Sequence, residues 1–188
     1  MKDRSETDRI LMNLRAALDW DCRFPNNVFR GTWGSYLFFD SDWMFCAEFV
    51  PWVKSLLRAE GGTCACIYDI DAMQANDSLL PTSFAINSAT SGAEYQSFLK
   101  GSRTETSWTS FVDRYACTSD RAIWCLYCER NNEIAVIALK SDALRGLLSE
   151  VHAMPIADAI ALPLSYGFSD RNLSVLWRTE LLGAYGHG

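Results

Sequence analysis

The sequence predicts one α+β or α/β domain, residues 1–188, with a mixed sheet packed against helices, and three observations carry that expectation. A chain of 188 residues that is 49% hydrophobic and 21% charged has the size and composition of a single globular unit, and the disordered and collagen-like classes drop out. Apolar residues recur at helical spacing near both ends. Two strong apolar runs, residues 122–128 and 133–139, flank Asn131-Asn132 as the arms of a hairpin.

Taken in order, residues 5–19 place Ile10, Leu11, Leu14 and Leu18 on one helical face, with Ser5-Glu6-Thr7-Asp8 read as a capping box. Tyr36-Leu37-Phe38-Phe39 is a short aromatic run between Gly34 and Asp40-Ser41-Asp42, the signature of a buried strand. From Trp43 to Glu60, Phe45, Phe49, Trp52, Val53, Leu56 and Leu57 repeat every three or four residues. Pro51 lacks a backbone N–H and either kinks this helix or opens a second one. Gly61-Gly62 ends it, and residues 63–70 make a further strand. A strand, a crossover of some twenty residues and a strand predict a parallel neighbouring pair.

Residues 72–107 are rich in Ser, Thr, Asn and Gly, with short elements expected only at 84–86 and 94–99. A brief helix is expected at 108–115. The hairpin at 121–140 is expected to turn through Asn131-Asn132 in a two-residue type I′ geometry, because asparagine tolerates positive φ. Ser141-Asp142 caps a helix that runs to His152 and stops before Pro155. A strand at 159–164 and a helix opening at Ser169-Asp170, with Leu173, Leu176, Trp177 and Leu181, complete the reading.

Seventeen basic against twenty-three acidic residues leave a formal charge of −6, which opposes unaided capture of nucleic acid and suits a basic partner. Residues 1–8 hold no secretory apolar core, and no stretch reaches the 18 or so apolar residues of a membrane span. A cytoplasmic location follows as the expectation. The seven cysteines (22, 46, 64, 66, 117, 125 and 128) are odd in number and lie in apolar surroundings, so they read as reduced thiols. Cys64, Cys66, Cys125 and Cys128 superficially offer four zinc ligands, but residues three apart on a strand point to opposite faces, so Cys125 and Cys128 diverge. No metal or other cofactor is expected from them. His152 sits at a helix end, where imidazole commonly serves the dipole, and His187 lies in a Gly-rich tail. Phosphate-loop, dinucleotide, zinc-protease and nucleophile-elbow motifs are missing from the chain.

The carboxylates carry the sharper expectation. Asp40 and Asp42 follow one strand and Asp69 and Asp71 the next, so parallel neighbours would gather four carboxylates at one sheet edge and offer oxygen ligands to Mg²⁺. Residues 37–42, Leu-Phe-Phe-Asp-Ser-Asp, resemble the first motif of haloacid-dehalogenase-type phosphatases. That resemblance implies Asp40 as nucleophile and Asp42 as acid/base. Trp43-Met44 departs from the family pattern, and its later lysine and acidic motifs are missing. The simpler reading is that Asp40, Ser41 or Asp42 caps the next helix. Of the seven tryptophans, Trp33 and Trp43 border loops and are expected to be the exposed ones, available as binding anchors.

In size, acidity, the hairpin of residues 124–137 and the lack of active-site motifs, the whole chain resembles the immunity proteins that bacteria use against polymorphic or contact-delivered toxins. The resemblance is of type, with no motif to match residue by residue. It implies a module that binds a protein and neutralises it by occlusion, the partner being a toxin with a basic active-site cleft. Asp40, Asp42, Asp69, Asp71, Trp33 and Trp43 are the candidate contact residues, with no nucleic acid or membrane as direct partner. The alternative is a Mg²⁺-dependent phosphate-processing enzyme on the Asp40/Asp42 edge.

Overall fold

The computed structural model describes residues 2–75, 82–101, 107–161 and 174–186. Six strands, β1 (Ser35–Asp40), β2 (Cys64–Asp69), β3 (Ser83–Asn87), β4 (Arg114–Ser119), β5 (Trp124–Glu129) and β6 (Ile134–Leu139), form one sheet in the order β1-β6-β5-β4-β2-β3. The fold is α+β.

Alternation along the strands divides the core into two layers. Leu37, Phe39, Ala65, Ile67, Tyr115, Cys117, Leu126 and Ile137 face one side. There they meet Val50, Trp52, Val53, Leu56 and Leu57 of α2 (Phe49–Glu60), Tyr95 and Leu99 of α4 (Gly92–Lys100) and Trp108 of α5 (Trp108–Phe111). Phe38, Cys64, Cys66, Tyr68, Ala116, Cys125, Tyr127 and Val136 face the other side. There they meet Ile10 and Leu14 of α1 (Lys2–Ala17), Ile70 of α3 (Ile70–Ala75), Ile156 of α6 (Ile156–Ala161) and Leu181 and Tyr185 of α7 (Val175–Tyr185).

Every strand pairing is antiparallel, so the expected mixed sheet with β1 and β2 as parallel neighbours is corrected. The two strands do run in the same direction, but β6, β5 and β4 lie between them. Continuous apolar runs usually mark parallel strands because helices cover both faces. Here helices cover both faces of an antiparallel sheet, and β2, β4, β5 and β6 are buried at every position. One of the strands between β1 and β2, β4 (Arg-Tyr-Ala-Cys-Thr-Ser), begins at residues 114–115, which were expected to end a brief helix. Its small Ala116 and Cys117 weaken the strand signal, yet α1 packs closely against β4 and β2, where the small Ala116 on that face lets the helix approach.

The hairpin is present, with Cys125 opposite Ala138 and Glu129 opposite Ile134, but its turn differs from expectation. Arg130–Asn132 form a 3-10 turn and the positive φ, +58°, falls on Glu133. Tertiary ties hold this longer loop: Asn131 N–H donates to Asp113 Oδ1 at 2.9 Å and Arg130 Nη1 donates to the Thr109 carbonyl.

Pro51 is the third residue of α2, where its missing N–H is one that no helix could satisfy, so the helix is neither kinked nor divided. Gly61 stops α2 at φ +69°. α1 already runs through Ser5–Asp8, so those residues do not start it. Residues Asp142–Val151 form a 3-10 stretch, not an α-helix, capped by Ser141; Gly146 weakens α propensity there. Residues 159–161 belong to α6, not to a strand. Ser169, Asp170, Leu173 and His187 lie outside the described residues. Met154 bridges Phe38 in both directions, at 2.7 and 2.9 Å, and shields the outer edge of β1 from further pairing.

Candidate functional site

β1, β5 and β2 share a direction, so their carboxyl ends meet one end of the sheet, where β6 and β4 begin. That end carries all four predicted aspartates, but in two separate corners. With about 4.8 Å between strands, β1 and β2 stand roughly 19 Å apart. Magnesium holds its oxygen ligands at about 2.1 Å. Asp40 and Asp69 therefore cannot share an ion, which corrects the expected four-carboxylate cluster. Among the described residues no group of three His, Cys, Asp or Glu is placed to hold a metal.

In the β1 corner, Asp40 Oδ1 accepts the Asp42 N–H at 2.8 Å and caps the 3-10 turn Ser41–Phe45. The capping role proposed from the sequence is the one Asp40 fills. Burial raises the pKa of its carboxyl, opposed by that hydrogen bond and reinforced by the Asp42 charge. Asp42 itself is free to meet a partner: its side chain is 70% exposed, with only Arg130 Nε nearby at 3.8 Å. Trp43 is half-buried against the core, and its indole N–H has no hydrogen-bond partner among the described residues. Asp40, Asp42 and Glu48 together push up the Cys46 thiol, behind the larger effect of its own burial, which places three carboxylates in one local field. The Arg130 guanidinium lies 4.8 Å above the Phe45 ring.

No family model, curated protein or solved structure matches this chain.

The β2 corner is internally satisfied. Asp69 is buried and its Oδ1 accepts the Ala72 N–H at 2.9 Å, so it caps α3. Asp71 accepts from Arg114 at 2.6 and 2.7 Å and from Arg23 at 3.3 Å. Arg114, only 4% exposed, also donates to Gln74 Oε1 at 2.5 Å and to the Trp20 carbonyl at 2.8 Å. Arg23 continues to Asp113 at 3.1 Å, and Asp113 holds the hairpin turn. The charges thus fall in two groups, Asp42 with Arg130 and Asp113-Arg23-Asp71-Arg114, joined through the backbone, where the Arg130 N–H donates to the Asp113 carbonyl at 3.0 Å. The arginines were missed in the sequence because each looks like an ordinary solvated charge at an element boundary. Only the sheet order brings them together.

Trp33 does not serve as an exposed anchor. It is 9% exposed, its Nε1 donates to the Arg30 carbonyl at 3.0 Å, and its ring packs against Phe29 with Lys140 above it. None of the seven cysteines is in a disulfide. Cys125 and Cys128 face opposite layers, as expected. Burial pushes the Cys66 thiol up to about 12, so this sulfur stays protonated and is no nucleophile.

Between the corners, Glu129 is 2% exposed and accepts from Phe24 N–H, Tyr127 Oη and Asn132 Nδ2 at 2.8, 2.7 and 2.6 Å. Burial still raises its pKa above the ordinary carboxylate value. The native state therefore holds this proton more tightly than the unfolded chain does. Rising pH strips the unfolded state first, so the stability due to Glu129 is greatest below about pH 4.3 and declines as pH climbs through the raised native value. Urea unfolding across this window should show the parent losing stability relative to Glu129→Gln as pH rises. A constant difference between the two proteins would contradict the burial effect.

Proposed function

We propose that this chain is a protein-binding domain that neutralises a partner by occlusion, in the manner of immunity proteins that block a toxin. The observation that carries the reading is the β1 corner: an exposed Asp42 beside the Asp40 carboxylate, followed in the chain by the half-buried ring of Trp43. Complementary charge speeds encounter and a desolvated aromatic slows release, so the corner suits a basic surface that packs on the exposed part of the Trp43 ring. Asp69, Asp71 and Trp33 support the fold from within, because their polar groups are already engaged.

The partner is recovered by affinity capture from the native host and its affinity measured by calorimetry. Asp42→Lys should weaken binding by about 2 kcal/mol or more, while the urea midpoint stays near that of the parent, as expected for an exposed side chain. Unchanged affinity would remove this corner from the interface. Hydrolysis of phosphate esters with added Mg²⁺, abolished by Asp40→Asn, would replace the binding reading with the enzymatic one. Among the described residues no helix is long and apolar enough to cross a membrane.

A further inference from the structure

A concave surface lies between α2 and the turns that follow α2 and β3. It encloses about 460 Å³ and is lined by Pro51, Leu57, Lys54, Arg58, Thr63 and Ser88, with Gly62 behind them. That volume falls within the range of small-molecule sites. Pro51 and Leu57 provide an apolar lining, and Lys54 and Arg58, four residues apart, lie on one helical face.

Lys54 and Arg58 are two cations on one wall of the groove with no carboxylate of their own among the described residues, as is also true of Arg15, Lys100, Arg121 and Lys140 elsewhere on the described surface. Arg9, Arg23, Arg30, Arg114, Arg130 and Arg145 all meet carboxylates within 4 Å. Among the described residues Lys54 and Arg58 meet none, in a chain with twenty-three acidic side chains. Lys54 Nζ donates to the Ser88 carbonyl at 2.9 Å, while Arg58 donates to the Lys54 carbonyl at 3.3 Å and to Ser55 Oγ at 3.0 Å. These contacts hold the side chains without neutralising them. Glu60 lies behind Gly62 with its carboxylate oxygens buried, and burial raises its pKa; the other two nearby acids are engaged elsewhere. Glu94 feels Lys54, but it accepts the Ser91 N–H at 2.6 Å in a capping box. Asp120 accepts from the Thr63 N–H and from Arg9. A cation pair one turn apart repels itself, and an anion placed between the two heads relieves that repulsion.

We propose that this groove binds a small amphipathic organic anion, its charged group bridging Lys54 and Arg58 and its apolar body resting on Pro51 and Leu57. Charge complementarity and the apolar lining both enter that choice. A purely inorganic anion would leave the apolar wall unused, and a neutral apolar molecule would leave the cations unpaired.

The test is fluorescence titration of the full chain with anilinonaphthalene sulfonate, against its uncharged relative N-phenylnaphthylamine. The expected result is one saturable sulfonate site, weakened by added salt, with the neutral dye bound more weakly. The double variant Lys54→Gln, Arg58→Gln should lower sulfonate affinity by about tenfold or more, the loss of two charge-assisted contacts. Lys100→Gln, outside the groove, should bind as the parent does. Coinciding urea midpoints establish that the double variant is folded, and each single substitution gives an independent reading if it is not. Equal affinity in parent and double variant, equal affinity for the two dyes, or no saturable sulfonate binding overturns the proposal.

Discussion

Asp71→Ala is expected to destabilise the protein by about 3 kcal/mol or more, because it leaves a buried guanidinium without its counter-charge. The Arg114 side chain is only 5% exposed and Asp71 is the sole carboxylate within 4 Å of it among the described residues. The Trp20 carbonyl and Gln74 Oε1 would still accept from it, but neither supplies negative charge. Arg114→Met should cost less, since Asp71 is 38% exposed and keeps Arg23 as a partner. The double variant should fall well short of the sum of the two single effects, as coupled neighbours do. Urea unfolding of the four proteins in a double-mutant cycle reads this directly. The result also separates roles within the sheet edge: Asp71 loses stability on replacement, whereas Asp42, being exposed, should lose partner affinity alone. An Asp71→Ala variant as stable as the parent would show that the corner is not held by this pair.

The second large effect belongs to Trp52. Its side chain is 1% exposed, packs edge-on to Phe39 at 5.9 Å and against Phe49 at 5.8 Å, and donates Nε1–H to the Leu147 carbonyl at 3.0 Å. One residue thereby joins α2, the sheet and the 3-10 stretch Asp142–Val151. Trp52→Ala should cost about 3–5 kcal/mol through lost burial and the cavity left behind. Trp52→Phe keeps most of the apolar volume but orphans the Leu147 carbonyl, for a loss of about 1–3 kcal/mol. Chemical denaturation of both variants gives the order; equal losses would mean that the lost hydrogen bond carries the effect and packing adds little, whereas a Trp52→Phe variant as stable as the parent would mean the reverse.

Local patterns in the chain were enough to place α1, β1, α2, β2, the β5–β6 hairpin and α7, because each has a strong apolar period or a clear terminator such as Gly61. They also showed that Cys125 and Cys128 diverge and that Asp40 suits a cap, since both follow from the spacing of one element. The order of the strands was another matter. Parallel and antiparallel sheets covered on both faces produce the same continuous apolar runs, and β4 carries small residues where α1 must approach. Nothing local distinguishes β2 beside β1 from β2 with three strands between them. That single placement decided whether Asp40, Asp42, Asp69 and Asp71 form one cluster or two corners. It also turned Asp71 from a candidate contact into the counter-ion of Arg114, and brought Arg130 to Asp42. The exposure of Trp33 was equally a tertiary matter, because a loop-side tryptophan is buried or free according to what folds over it, and here Phe29 and Lys140 do. Residue chemistry and short-range periodicity are written along the chain, whereas the meeting of charges from distant strands depends on sheet order, which is set by packing over the whole molecule.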